Sequence, residues 1–141
     1  MWLALAVEVE PLFGEPLVSS PSFLQALHKS IARGSAFCLR ENDGPPGSAL
    51  MGGLLFSAKL PQYRIGWLAV AERRRRQGVG RCLVLHVLGL VRAPAEVSVV
   101  TFGPDNEAGL PARHFYESLG FLPAEPAEPG PHGLSRQVYR R

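Results

Sequence analysis

One stretch of this sequence, residues 68–91, constrains the fold more than any other. Residues 68–70 end a strand-like segment, four consecutive arginines follow at 73–76, and Gly78 and Gly80 open an apolar stretch with helical periodicity. A strand that leads through a glycine loop into a helix is typical of α/β proteins. The first turn of such a helix has N–H groups without intrahelical partners and carries partial positive charge. The segment therefore predicts an anion site between a strand and a helix.

The spacing of the glycines shows which known type of phosphate-binding loop this segment matches. A Walker A loop has Gly-Lys-Ser/Thr after its glycines, whereas this chain has Gly80, Arg81 and Cys82. A Rossmann fingerprint has three spaced glycines, and the third is absent here. The pattern that fits is Arg-x-x-Gly-x-Gly over residues 75–80. Arginines beside the helix start add charge and forked hydrogen bonds, which suit a phosphate or pyrophosphate.

A second informative block covers residues 112–121, which read Ala-Arg-His-Phe-Tyr-Glu-Ser-Leu-Gly-Phe. Pro111 suits the start of a helix and Gly120 its end, so a helix is predicted over residues 111–119. Its apolar residues follow the spacing i, i+3, i+4, i+7, which places them on one helical face. These residues are Ala112, Phe115, Tyr116 and Leu119.

Taken together and in this order, the two blocks resemble the GNAT superfamily of N-acetyltransferases, from about residue 36 to the C-terminus. The resemblance implies that the loop at 75–80 wraps the pyrophosphate of coenzyme A and that the preceding strand pairs with the pantetheine arm. It also implies that Tyr116 lies near the thioester sulfur and protonates the departing thiolate. The residues that we assign to acetyl-CoA, the acyl donor, are Leu68, Ala69, Val70, Arg75, Arg76, Gln77, Gly78, Val79, Gly80, Arg81, Asn106 and Phe115. No metal is expected.

Two features depart from the pattern of that family. Seven residues before Tyr116, where the family often has asparagine, this chain has Gly109, and the nearby asparagine is Asn106. The family also usually begins with a strand before its first two helices. Residues 2–13 fit both an alternating strand pattern and a helix, and the local abundance of Ala, Leu and Glu favours the helix. The helical face would contain Trp2, Leu5, Ala6, Val9 and Phe13.

The remaining segments complete an α/β domain. A helix is predicted at 21–32, capped by Ser20 and ended by Gly34. Strands are predicted at 36–40, 48–59, 63–70, 97–102, 121–122 and 135–140. The expected fold is a single domain over residues 1–141 with a GNAT-like mixed, mostly antiparallel twisted sheet flanked by helices.

The charge distribution argues against a nucleic-acid partner. The formal net charge is +3, and the four arginines at 73–76 account for all of this excess. A protein that binds nucleic acid more often spreads its basic residues over a face. A run confined to one loop indicates a local anionic ligand instead.

The other compositional features favour a cytoplasmic protein without a membrane partner. Residues 1–10 contain no Lys or Arg and do not resemble a signal peptide. The apolar stretch at 82–91 is too short to span a bilayer. The two isolated cysteines, Cys38 and Cys82, are interpreted as buried thiols in a reducing compartment.

Individual side chains near these motifs have competing interpretations. The arginines at 75–76 are expected at the phosphates, while those at 73–74 are divided between ligand and solvent. His86, in an apolar helix, is interpreted as a core histidine with its polar atoms satisfied. Trp67 and Phe56 are interpreted as core or as the wall of a binding site.

Three hypotheses for the function follow. The first is an N-acetyltransferase that moves the acetyl group of acetyl-CoA to a primary amine of a small molecule or peptide, by direct attack in a ternary complex. In it, backbone N–H groups near Ala69 and Val70 polarise the carbonyl, and Tyr116 is the general acid. The second is a non-catalytic acyl-CoA-binding or regulatory module on the same fold, and the third is a nucleic-acid binder. No general base stands out, and the acceptor and a homodimer stay open.

Overall fold

The computed structural model describes residues 1–13, 16–59, 61–92, 95–130 and 133–141, without the side chains of residues 12 and 13. The helices in these ranges are α1 (Trp2–Phe13), α2 (Pro21–Arg33), α3 (Val79–Leu88) and α4 (Leu110–Ser118). The strands are β1 (Ala36–Arg40), β2 (Leu50–Lys59), β3 (Gln62–Val70), β4 (Glu96–Phe102), β5 (Leu122–Ala127) and β6 (Arg136–Arg140). This is the order of elements that the sequence predicts.

The strands form a mixed six-stranded sheet in the order β1-β2-β3-β4-β6-β5. The pairs β1–β2, β4–β6 and β5–β6 are antiparallel. β3 and β4 are parallel over residues 62–65 of β3. Parallel neighbours need a crossover connection, and α3 lies in the one between these two strands. The predicted mixed, mostly antiparallel sheet flanked by helices is therefore confirmed.

The first helix, α1, resolves the ambiguity of residues 2–13 in favour of a helix. Leu5, Ala6 and Val9 are buried. They lie at i, i+1 and i+4, on one side of the helix, as the helical interpretation requires. The side chain of Phe13, which was expected on the same face, lies outside the described part of the chain. In the part that the structure describes, α1 and α2 precede the sheet without the initial strand that is usual in the family.

Helix α2 begins and ends where capping rules predict. The Ser20 hydroxyl accepts a hydrogen bond from the Phe23 N–H (3.4 Å), and Pro21 occupies the first helical position. Gly34 follows the helix with φ of 70°, the left-handed conformation that glycine adopts without a steric penalty. Its N–H donates to the Ile31 carbonyl (3.2 Å), which satisfies one of the last carbonyls of the helix.

By internal contacts the chain divides into two compact units, and the first comprises Met1–Ser57 and Gly66–Val91. In its core, the ring of Trp67 lies 6.4 Å from that of Trp2 and meets that of Phe23 edge-on at 5.2 Å, measured between centroids. The core interpretation of Trp67 is thereby confirmed. The buried apolar residues of this cluster are Leu5, Ala6, Val9, Leu17, Leu27, Leu50, Leu55, Trp67, Ala69 and Ala71.

The second unit comprises Ala58–Ile65 and Arg92–Arg141. Two of its buried tyrosines have bonded hydroxyls: Tyr63 accepts from the Arg92 N–H (3.3 Å), and Tyr139 lies 3.0 Å from a carboxylate oxygen of Glu117. The buried aromatic and apolar residues of this unit include Tyr63, Ile65, Val97, Val99, Tyr116, Leu119, Phe121 and Tyr139. Because the chain divides into these two units, a single GNAT domain over residues 1–141 stays a prediction.

Strand β1 is one edge of the sheet. The Ser35 carbonyl accepts from the Phe56 N–H (3.0 Å), so alternate residues counted from Ser35 bond to β2. The residues between them direct their N–H and C=O groups away from β2, because backbone groups alternate along an antiparallel pair. The outward-facing residues are Ala36, Cys38 and Arg40.

Two expectations for α3 are wrong. Cys82 is exposed and Cys38 half-buried, so they are not two buried thiols. His86 is exposed and meets the ring of Phe37 edge-on, with centroids 5.0 Å apart. Helix α3 buries only one face, but its outer face is also apolar in sequence. The sequence pattern therefore does not show which residues of the helix are buried. The buried residues of α3 are Val79, Gly80, Leu83, Val84 and Val87.

Strand β5 is longer than the two residues predicted at 121–122. It continues to Ala127 and pairs with β6 through Pro123 and Pro126, with an irregular register between them. Proline removes a donor but is tolerated on an edge strand or at a bulge. The prolines therefore concealed a strand that the tertiary structure forms.

Candidate functional site

The connection from β3 to α3 follows a path fixed by hydrogen bonds within the first unit. The Ala71 N–H donates to the Met51 carbonyl of β2 (2.8 Å). A single 3-10 turn, Glu72–Arg74, comes next. Its Glu72 N–H donates to a carboxylate oxygen of Glu8 (2.9 Å), which satisfies a donor at the start of the turn.

The start of α3 has the features of an anion site. Arg76 and Gly78 have φ of 61° and 81°, and alternation into the left-handed region turns successive N–H groups toward one side. The Cys82 N–H donates to the Gly78 carbonyl (2.9 Å), so the N–H groups of residues 79–81 precede the first intrahelical bond. A Cβ at Gly78 would meet no atom within 4 Å. Open space therefore lies beside the first turn.

Val79 holds this helix start against β2. A Cβ added at Gly52 would lie 2.7 Å from Cγ1 of Val79 and 3.0 Å from the Ala69 carbonyl oxygen. Both distances are below ordinary van der Waals contact, so glycine at position 52 permits the approach. Val79 and Gly80 are buried while Gly78 is exposed. The two buried residues therefore hold the first turn of α3, with its N–H groups, in place.

Two of the four consecutive arginines have carboxylate partners. One oxygen of Glu41 accepts from Arg73 Nη2 (2.9 Å) and Arg74 Nε (3.0 Å), and the other accepts from Arg74 Nη2 (2.5 Å). Glu8 lies 3.8 Å from Arg73 Nη1. The hydrogen bond from Arg74 is the main reason that the pKa of Glu41 lies below its usual range. Arg73 and Arg74 therefore have carboxylate partners while their side chains stay 50% and 35% exposed, and the choice between ligand and solvent for them stays a prediction.

The other arginines of the loop are different. Arg75 is half-buried, and Arg76 and Arg81 are exposed. In the ranges that the structure describes, none of the three forms an ion pair with a carboxylate. Gln77 donates from its side chain to the Arg73 carbonyl (3.0 Å), so this side chain stabilises the loop. Positive charge without a counter-ion therefore remains at the start of α3.

Tyr116 lies on the buried face of α4 in the second unit. Its ring meets the rings of Phe115 and Phe121 edge-on, with centroids 5.1 Å and 5.6 Å away. The residue is 6% exposed, and this burial raises the pKa of the phenol above its ordinary value. A phenol is already protonated at neutral pH, so the Tyr116 hydroxyl carries the proton that a donor requires.

The loop before α4 explains the glycine found where the family often has asparagine. A Cβ at Gly109 would lie 2.1 Å from Cβ of Phe102, so β4 leaves no room for a side chain there. Asn106 is half-buried at the start of the 3-10 turn Glu107–Gly109, and its side chain makes no capping hydrogen bond. Its amide is therefore not used in capping this turn.

Comparison with protein families identifies the chain. The model of the acetyltransferase (GNAT) domain matches residues 32–123, which is more than half of the sequence. The chain belongs to the GNAT family. The resemblance predicted from the two sequence blocks is confirmed, and the family is one of acyltransferases that use acetyl-CoA.

Solved GNAT structures share the fold at low sequence identity. Ard1 from Thermoplasma volcanium is 20% identical, with a TM-score of 0.76 over 99% of this chain and 88% of its own. Naa50 from Arabidopsis thaliana, in complex with the bisubstrate analogue CoA-Ac-MVNAL, is 20% identical, with a TM-score of 0.73 over 99% and 91%. The ribosomal-protein-S18-alanine N-acetyltransferase from Escherichia coli is 18% identical, with a TM-score of 0.56 over 86% and 88%. At these identities the likeness establishes the fold.

A curated human protein also matches part of the GNAT chain. Kazal-type serine protease inhibitor domain-containing protein 1 is 41% identical over 64 residues, which is 45% of this chain. The match spans 20% of the human protein's length, so it carries no statement about function.

The predicted GNAT site residues fall into two groups. The first unit brings together Leu68, Ala69 and Val70 at the end of β3 with the loop and the first turn of α3, which contain Arg75, Arg76, Gln77, Gly78, Val79, Gly80 and Arg81. The second unit contains Asn106, Phe115 and Tyr116. The assignment of each residue to the coenzyme stays a prediction.

The sequence offers no signal for three residues that hold the loops of this GNAT chain in place. Glu8 and Glu41 lie far along the chain from the arginines that they bind. Arg113 lies outside the predicted apolar face of α4, and the sequence pattern assigns it no role. It is 9% exposed, and its Nη1 donates to the Gly103 carbonyl and to the Asn106 carbonyl, the latter at 2.9 Å. Arg113 thereby ties the loop that carries Asn106 to α4.

Replacing Arg113 with methionine is expected to destabilise the GNAT fold. The substitution keeps an apolar stem but leaves two carbonyl oxygens without their charged donor. Loss of such bonds should lower the free energy of unfolding by about 1–3 kcal/mol. Urea unfolding measures this, with Arg64→Met as the matched control, since Arg64 is exposed on β3 in the same unit. Equal effects of the two substitutions would contradict the role of Arg113.

Two further findings concern the described ranges alone. None of their helices has both the length and the apolar character needed to cross a membrane. They contain no cluster of three His, Cys, Asp or Glu residues placed to hold a metal ion. The cytoplasmic location and the absence of a metal stay predictions.

Proposed function

We propose that this GNAT chain is an acetyl-CoA-dependent N-acetyltransferase whose acceptor is a primary amine of a small molecule or peptide. The observation that carries the proposal is the start of α3. There, the N–H groups of residues 79–81 precede the first intrahelical bond, and Gly78 leaves open space beside them. Arg75 and Arg76 supply positive charge that no carboxylate of the described chain neutralises.

These groups fit the pyrophosphate of coenzyme A. The partial positive charge of a helix start stabilises an anion most within the first turn. Guanidinium groups add charge-assisted hydrogen bonds in a fixed fork, which matches phosphate oxygens. Because Glu41 and Glu8 bind Arg73 and Arg74, the charge available to a ligand is concentrated next to Gly78. The loop does not offer an extended polyanion a comparably extended positive surface.

We assign the end of β3 to the pantetheine arm. Ala69 is buried, and Leu68 and Val70 are half-buried, so this segment offers its backbone rather than large exposed side chains. N–H groups near Ala69 and Val70 would polarise the thioester carbonyl, as the GNAT resemblance implies. Asn106 and Phe115 are proposed as further contacts to the coenzyme.

The proposed chemistry needs few groups of the protein. Bound acetyl-CoA supplies a thioester whose carbonyl carbon a neutral amine can attack directly. Tyr116 would donate its hydroxyl proton to the sulfur that leaves and would regain a proton from water. β3 has no carboxylate that could deprotonate the amine. We therefore propose that the amine arrives neutral or loses its proton through water.

Ligand-induced stabilisation provides the first test. Acetyl-CoA at about a hundredfold its dissociation constant should add about 2.7 kcal/mol to the free energy of unfolding. For a chain of this size, that corresponds to a rise in Tm of roughly 5–10 °C. ATP and NAD at the same concentration should raise Tm much less, since the loop lacks the Walker and Rossmann patterns. Equal shifts with all three ligands would contradict a site specific for the coenzyme.

Thiol release separates the enzyme from a binding module. The protein is incubated with acetyl-CoA and a panel of amines, amino acids, aminoglycosides and peptides, and free coenzyme A is measured. Amine-dependent release above the rate without protein supports the transferase. Stabilisation by acetyl-CoA without release by any amine of the panel would favour the non-catalytic acyl-CoA-binding module.

A further inference from the structure

Glu41 is held in place by its own backbone and by two arginines. It follows β1, opens the 3-10 turn Glu41–Asp43, and its N–H donates to the Ala49 carbonyl (2.9 Å). Its side chain is 17% exposed. Both carboxylate oxygens accept hydrogen bonds, and Arg74 contacts both of them through Nε and Nη2. This forked geometry fixes the direction of the guanidinium as well as its position.

The arginines that Glu41 holds lie directly before the groups that we assign to the pyrophosphate. Arg74 also donates from Nη1 to the Gln77 side chain (3.3 Å), and Gln77 in turn donates to the Arg73 carbonyl (3.0 Å). The hydrogen bonds thus connect Glu41 through Arg74 to Gln77, the residue before Gly78. The left-handed conformation of Arg76 lies inside the segment that these bonds close.

We propose that Glu41 is a positioning residue for the coenzyme, acting through Arg74 and Gln77 on the loop at 75–80. The proposal rests on the proposed function, because it assumes that this loop binds the pyrophosphate. A loop ordered before binding loses less conformational entropy when the ligand arrives, so its side chains cost less to immobilise.

The negative charge of Glu41 allows a clear test, because a purely electrostatic role and an ordering role predict opposite changes in the affinity for the coenzyme. A carboxylate near an anion site repels the ligand, so its removal should tighten binding if Glu41 acts only through its charge. If Glu41 orders the loop, its removal should weaken binding. The two explanations predict opposite changes for Glu41→Gln, which keeps the shape and removes the charge. They also differ for Arg74→Lys, which keeps the charge but cannot fork across both oxygens.

The experiment is a calorimetric titration of the whole protein with coenzyme A. We expect Glu41→Gln and Arg74→Lys each to raise Kd about tenfold, as the ordering of two or three side chains implies. The double variant should raise Kd no further, because both substitutions break one chain of hydrogen bonds. With an acceptor in hand, KM for acetyl-CoA should rise while kcat stays within about twofold.

Glu125→Gln is the matched control, since Glu125 forms a similar fork with Arg140 in the second unit. We expect it to leave Kd unchanged. Unchanged or tighter binding by Glu41→Gln, or unchanged binding by Arg74→Lys, would overturn the positioning role. If Glu41→Gln lowers Tm without ligand by more than about 5 °C, Arg74→Lys alone decides. Failure of the wild-type protein to bind coenzyme A would refute the proposed function itself.

Discussion

Gly78→Asp is expected to weaken the binding of coenzyme A by roughly 100-fold. The position is exposed and a Cβ there would meet no atom within 4 Å, so we expect the new carboxylate to lie beside the first turn of α3. Two unit charges about 4 Å apart interact by about 1 kcal/mol in water and about 4 kcal/mol near a protein surface. A value in the middle of this range corresponds to roughly a 100-fold change in affinity.

Gly78→Asn separates charge from shape in this test. Asparagine has the size of aspartate and tolerates the left-handed conformation that Gly78 adopts, with φ of 81°. We expect it to weaken binding less than about tenfold, since it lacks the charge. Calorimetric titration gives Kd, and thermal unfolding without ligand gives the cost to the fold. If neither variant changed Kd, the pyrophosphate would have to bind away from Gly78.

Tyr116→Phe is expected to lower kcat about 10- to 100-fold while the Kd of acetyl-CoA changes little. The ring and its contacts with Phe115 and Phe121 remain, so the fold is preserved. General acid catalysis contributes most for a poor leaving group, and a thiolate is a good one, which places the effect at the low end. An interaction made mainly in the transition state changes kcat rather than KM. Unchanged kcat with a raised KM would make Tyr116 a binding residue.

Alkaline unfolding checks the burial of the same hydroxyl independently. An unfolded tyrosine ionises near pH 10, whereas burial raises the pKa of folded Tyr116 above that value. As pH rises past about 10, the unfolded chain releases this proton first, so the folded state loses stability by up to about 1.4 kcal/mol per pH unit. The Tyr116→Phe variant lacks this contribution. Its free energy of unfolding should fall less steeply between pH 10 and 12, and parallel curves would contradict full burial.

Much of the fold follows from local signals. Ser20 and Gly34 bound α2 through the capping preferences of short polar residues and glycine, and both act within a few residues along the chain. Strand β5 shows where such reasoning ends. Pro123 and Pro126 disfavour a strand locally, but pairing with β6 overrides that preference. Likewise, α3 is apolar on both sides, so periodicity alone did not show that His86 lies outside the core.

The candidate site also has one part that local sequence predicts and one part that only the tertiary structure shows. The pattern over residues 75–80 needs only neighbours in sequence, because a helix start and its glycines define an anion site by themselves. The partners of Arg73 and Arg74 cannot be inferred like this. Glu41 lies 32 and 33 positions before these arginines, and no spacing rule links residues so far apart. The structure therefore adds the carboxylates that pair with two of the four consecutive arginines.

The two edges of the sheet are chemically unequal. β5, at one edge, contains two prolines, which lack an N–H and so interrupt any ladder that a further strand would form. β1, at the other edge, has no proline, and the backbone groups of Ala36, Cys38 and Arg40 face outward. Of the two edges, β1 is therefore the one whose ladder of backbone groups no proline interrupts. Any engineering of this protein for solubility should begin with a charge or a proline on that strand.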